Sequence, residues 1–179
     1  MPSRPPLSPP RRSFRRTLAM AAVLAASAAA APAATPLLAG PPWISVEMPA
    51  NPFDRASRGA FLLVHAFHHG TPMSFPVTGR AEGIVGGQRR TVPLQLERTS
   101  RQGVYALRNQ WGASGVWTLV LTVTQAPGDA ATALVDIAGD GQVTAVRVPT
   151  ARHREGNLDV PRAVPTAEVE AGLRARSGR

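Results

Sequence analysis

The chain contains no cysteine. That excludes a disulfide framework, a thiolate metal site and a lipid carried on an N-terminal cysteine. The fold must stand on its core alone. Lysine is missing too, so all twenty basic side chains are arginines. Aromatic residues are scarce, with three tryptophans, five phenylalanines and one tyrosine. They do not interleave with the arginines as stacking platforms for nucleic acid require, and no nucleic-acid partner is expected. No His-Glu-x-x-His pair occurs. Gly112-Ala113-Ser114-Gly115 has Val116 where a nucleophile elbow needs its second glycine. Asp136 and Asp140-Gly141 imitate part of a calcium loop, but Ala138 and Arg147 stand where oxygen ligands belong. Gly83, Gly86 and Gly87 fit no phosphate-binding spacing. Glu47, Glu82 and Glu97 read as solvated strand residues. No enzyme is expected, and no cofactor.

What is present begins with an address. Pro2 to Arg16 carries five arginines and no acid, Thr17 to Ala31 is uncharged and apolar, and Ala31-Pro32-Ala33 offers a small-x-small exit. That is the layout of a signal peptide over residues 1–33. The apolar run is too short and alanine-rich for a membrane span, so no stable span is expected after cleavage. Arg11-Arg12-Ser13-Phe14 resembles the twin-arginine motif, leaving Sec or twin-arginine export open. The expected location is periplasmic or secreted. The formal net charge of +9 largely reflects this leader. Beyond residue 33 the balance is fifteen arginines (20 − 5) against eleven acids, or +4.

After a lead-in over 34–42, the pattern from 43 to 148 is short alternating strands with glycine and proline turns, and no helical periodicity. Trp43 to Met48 predicts an edge strand. Phe61 to Phe67 is apolar on both faces and predicts a covered central strand. Gly86-Gly87 predicts a hairpin whose return strand, Arg89 to Glu97, carries Pro93 and therefore lies at an edge. Val116 to Val123 sets Trp117, Leu119, Leu121 and Val123 on one face, which predicts Trp117 in the core. Thr132 to Ala138 and Gln142 to Val148 predict a second hairpin. The expected fold is all-β, a single immunoglobulin-like antiparallel sandwich of seven to nine strands. A polar tail over 149–179 follows, with a possible short helix at 166–176, capped by Thr166, that either docks through Val169 and Leu173 or stays loose. Tyr105, just after Gly103, suits a tyrosine corner whose hydroxyl bonds to nearby backbone, with an ordinary strand aromatic as the alternative.

Three of the four histidines lie in His65-Ala66-Phe67-His68-His69. In a regular strand His65 and His69 share a face about 13 Å apart while His68 points the other way. One ion at about 2 Å from each imidazole cannot bridge that span. Met73 or Met48 offers soft sulfur, and only a break at Gly70 brings His68 or His69 together with Met73. The alternative is strand-end histidines bonded to backbone.

The order of strands, with Gly103-Val104-Tyr105 and Gly115-Val116-Trp117-Thr118-Leu119, resembles the YtkA-like and FixH-like exported domains over about Ile44 to Val123. The resemblance implies a small immunoglobulin-like sandwich; the second hairpin and the tail depart from it. The expected function is a non-enzymatic exported binding or accessory module that contacts another envelope protein. The alternative is a periplasmic protein binding copper or another metal through the His68, His69 and Met73 turn.

Overall fold

Branched and aromatic residues at alternate positions, punctuated by glycine and proline, favour short pleated strands over helices. A computed structural model of the protein describes residues 40–153 and 157–177. The expected leader at 1–33 and most of the lead-in lie outside the described residues. The first half holds β1 (Trp43–Glu47), β2 (Leu62–His68), β3 (Thr71–Pro72), β4 (Val77–Val85), β5 (Gln88–Leu94) and β6 (Leu96–Arg98). The second half holds β7 (Val104–Leu107), β8 (Val116–Ala126), β9 (Asp129–Ile137), β10 (Val143–Arg147), β11 (Thr150–Arg152), β12 (Asp159–Pro161) and α1 (Thr166–Ser177).

Two antiparallel sheets face each other. Sheet A has the order β1-β2-β7-β6, with β3 pairing β2 beyond the end of β7; sheet B has the order β10-β9-β8-β4-β5. The expected all-β sandwich is therefore present, with β1 and the Pro93-bearing β5 at edges. Its sheets hold ten strands rather than seven to nine, and β11 and β12 form a separate ribbon. One extra strand arises because Arg89 to Glu97 is not continuous. The chain leaves sheet B after Leu94 and enters sheet A at Leu96. The two backbone groups of Gln95 lose their ladder there, and the Gln110 side chain replaces it. Gln95 N donates to Gln110 Oε1 at 2.8 Å, and Gln110 Nε2 donates to Gln95 O at 2.8 Å.

The core fills from both inner faces, with Leu62, Val64 and Leu107 from sheet A against Leu119, Leu121 and Val123 from sheet B. Burying each such side chain contributes about 1.5–3 kcal/mol. Trp117 points inward as expected and is 3% exposed. It pairs with Gly83 across the β4–β8 ladder, and its ring occupies the space above that glycine. A Cβ on Gly83 would lie 2.2 Å from the indole. β4 runs unbroken through Gly83, which leaves room to receive the indole.

Tyr105 faces the core, but its hydroxyl donates to the carbonyl of Phe75, thirty residues upstream. It is not the local corner expected from the sequence. It ties down the segment that carries the chain from β3 in sheet A to β4 in sheet B.

The segment after Val148 belongs to the same compact unit, Ala39–Arg179. The helix docks: Val169 and Leu173 are buried, and Val169 joins Val164 over Val120 and Leu134 on the outer face of sheet B. Pro165 O accepts from Val169 N, so Pro165 occupies the cap position and Thr166 is the first helical residue.

Gly83→Ala is expected to destabilise the protein by about 1–3 kcal/mol, because a methyl must displace a packed indole. Urea unfolding followed by tryptophan fluorescence measures it, and an unchanged midpoint contradicts the packing.

Candidate functional site

The histidine-bearing end of β2 is built by a two-residue turn. His68 pairs with Thr71, and between them His69 (φ 48) and Gly70 (φ 79) both adopt left-handed backbone angles. Two such residues suit a type I′ turn, the form that matches the twist of a hairpin. The strand thus breaks one residue earlier than Gly70 alone suggests. His69 is the one non-glycine with positive φ among the described residues, and histidine is among the residue types that tolerate it.

The turn brings His68 and His69 together. Their rings stack at 4.3 Å between centroids and 22° between planes. Phe75 meets His68 edge-on at 6.5 Å. Alternation from Leu62, Val64 and Ala66 sets His68 on the inner face, where it is 8% exposed. Its Nδ1 is buried with no hydrogen-bond partner among the described residues. The expectation of strand-end histidines bonded to backbone therefore fails at this nitrogen. Met73 N donates to Ala66 O at 2.9 Å, which sets Met73 opposite Ala66. Cross-strand partners share a face, so Met73 lies on the same inward side as His68. Gly103 permits this approach, since a Cβ there would lie within 2.9 Å of the Met73 backbone.

The other sequence candidates are elsewhere. His65 lies on the outer face of β2, with Nε2 2.9 Å from Glu47 Oε2, and its ring is parallel to Phe67. The register sets Glu47 opposite Leu63. Met48 is therefore at the far end of β2, roughly 20 Å from His68 along the strand. Among the described residues no cluster of three His, Cys, Asp or Glu side chains forms a metal site.

The outer face of sheet A carries a second feature. Trp43 is 43% exposed and pairs in register with Phe67. At the other end of β1 the loop between β1 and β2 folds over Leu63, Val104 and Ala106 through Ala50 and Ala60. Its tip, Phe53, is 91% exposed. The tip is held rather than loose. Phe53 N donates to Asn51 Oδ1 at 2.9 Å, buried Ser57 closes on Asn51 and Asp54, and Arg101 pairs with both Asp54 and Glu47.

One acid departs from the sequence reading: Glu82 is not a solvated strand residue. Asp136, already excluded from a calcium loop by its neighbours, is equally buried; each is 3% exposed. They lie in one row across sheet B, Thr91–Glu82–Thr118–Asp136. Glu82 accepts from Thr91 Oγ1 (2.7 Å), Arg80 Nε (2.9 Å) and Arg89 Nη2 (3.0 Å). Asp136 accepts from Thr118 Oγ1 (3.0 Å), Arg147 Nη2 (2.7 Å) and Arg176 Nη1 (2.8 Å). The helix supplies Arg176, and its Glu170 pairs with Arg89 at 3.1 Å. Burial pushes the Glu82 carboxyl up, but the hydrogen bonds from Thr91, Arg89 and Arg80 together outweigh it and hold the group below its ordinary value. Burial also lowers the Arg176 guanidinium from its usual range, against the opposing pull of Asp136. The sequence signal for this row is the polar alternation Arg80, Glu82 in β4, which by itself does not distinguish solvent from a covering helix.

No known protein family, no curated protein and no solved structure matches the chain.

A carboxylate held below its ordinary value stabilises the fold above that value, and the contribution is lost as pH falls through the depressed one. The unfolding free energy is therefore expected to decline as pH drops below 4.5, the ordinary value for this group. Glu82→Gln is expected to lower stability at neutral pH by about 1–3 kcal/mol and to flatten the acid limb. Denaturant midpoints of both proteins across the acid range check this; parallel curves contradict it.

Proposed function

We propose that the protein is a non-enzymatic binding module of the cell envelope, exported by its first 33 residues through the Sec or twin-arginine route. It acts by protein–protein contact on the outer face of sheet A. The observation that carries this is Phe53, a large apolar side chain almost wholly in water yet fixed by a braced loop. Solvent exposure of an aromatic gives the isolated fold no stability, whereas aromatic anchors dominate binding energy at protein interfaces. Trp43, beside Phe67, extends the same surface toward the free edge of β1. The occupant is another envelope protein with an apolar pocket that receives Phe53. The ion pairs around the patch, Glu47 with His65 and Arg101, form a neutral rim rather than a field of one sign.

A photo-crosslinking amino acid at position 53, expressed in cells, is expected to trap one envelope protein, and Trp43→Ser is expected to reduce the yield. The same probe at Arg90, on the edge of sheet B, is expected to trap none. Equal trapping at both positions, or none at position 53, overturns the proposal. Phe53→Ser itself should shift stability by no more than about 0.5 kcal/mol, since the ring is exposed.

A further inference from the structure

We propose that the turn joining β2 to β3 is a binding site for a single soft monovalent metal ion, Cu(I). Its ligands are His68 through Nδ1, the imidazole of His69, and the sulfur of Met73. This is independent of the docking face on sheet A.

The argument starts from His68 Nδ1. A neutral imidazole has one N–H donor and one lone-pair acceptor. Here one ring nitrogen is shut away from solvent and has no hydrogen-bond partner among the described residues. A buried polar atom left in that state carries a desolvation penalty that nothing offsets. Most buried polar atoms find a partner, so an exception calls for one. A lone pair on an aromatic nitrogen accepts either a proton donor or a metal ion. The groups that the fold places around it decide between them. His69 lies against His68 face to face, Phe75 closes another side with an apolar edge, and Met73 shares the inward face.

The composition of that set selects the ion. Two imidazoles and a thioether carry no negative charge, and no group of three His, Cys, Asp or Glu side chains stands near enough to hold a metal among the described residues. Calcium and magnesium need oxygen ligands, and structural zinc takes a closed shell of thiolate, imidazole or carboxylate. Imidazole with thioether suits Cu(I), which is soft and content with a low coordination number. The turn also fits the task. The type I′ geometry is met by Asn-Gly or Gly-Gly at no chemical distinction, yet this chain spends the first turn position on a histidine in left-handed conformation. That choice puts a second imidazole beside the buried one. Loading opens the stack, because two near-parallel rings must tilt apart to direct both nitrogens at one ion.

The purified protein is to be titrated anaerobically with Cu(I) against a chromophoric competitor, and separately with Zn(II) and Cu(II). One Cu(I) per chain, bound much more tightly than micromolar and well ahead of Zn(II), is expected. His69→Asn retains a residue suited to the left-handed turn, and Met73→Leu retains the volume. Each is expected to weaken Cu(I) binding by at least about tenfold with an unchanged circular dichroism spectrum, and His68→Gln to abolish it. The proton resonances of both histidine rings should move on loading as the stack opens. Cu(I) binding no tighter than micromolar overturns the proposal, as does tight binding that survives His69→Asn and Met73→Leu.

Discussion

The contact on which the sandwich depends is an indole laid on bare backbone. Trp117 occupies the space above Gly83, so its ring fills the gap that a side chain on β4 would otherwise claim. Its Nε1 donates to Ser114 O at 2.9 Å, which satisfies the one polar atom that burial would have penalised. Because Trp117 sits at the start of β8, it also fixes how the longest strand enters sheet B. β8 pairs with β4 on one side and β9 on the other. With no disulfide available, this packing and the aliphatic layer around it supply the holding force.

The outer side of sheet B is organised differently. Its polar row would be a liability if buried without partners, and the chain answers with arginine throughout. The planar guanidinium offers several donors in a fixed fork, so one side chain can serve two acceptors at once. Arg89 does so between Glu82 and Glu170, and Arg176 between Asp136 and Thr118. Val169 and Leu173 supply the apolar part of the same contact. The helix is therefore held by shape through Val169 and Leu173, and by charge at Glu170 and at Arg176 near its C-terminal end.

Much of the fold was legible in the sequence because it is written in local rules. Alternation in β8 separated core from surface, Gly86-Gly87 marked a hairpin, and Pro93 marked an edge. What escaped depends on residues distant in the chain. Nothing around Glu82 announces that a helix some ninety positions later will cover it. Nothing in Arg89 to Glu97 shows that the strand changes sheets, since its alternation is continuous. Tyr105 was recognised as buried, but its hydroxyl partner lies in another crossing. At the histidine turn the backbone register sets Met73 on the same face as His68, and the approach of His68 and His69 was legible from the nearby glycine. The stacked rings and the unpartnered nitrogen were not, because both follow from His69 itself turning the chain. Met48 was eliminated only by strand register.

The passage from β5 to β6 has a mechanical meaning. In a sandwich joined only by side-chain packing, the layers can creep past one another under load. Here one extended run of main chain belongs to both layers, and the Gln110 amide grips it where it crosses. A pull on sheet A is thus carried into sheet B along covalent bonds and a paired amide. The two layers should yield together, as one body, rather than by sliding apart.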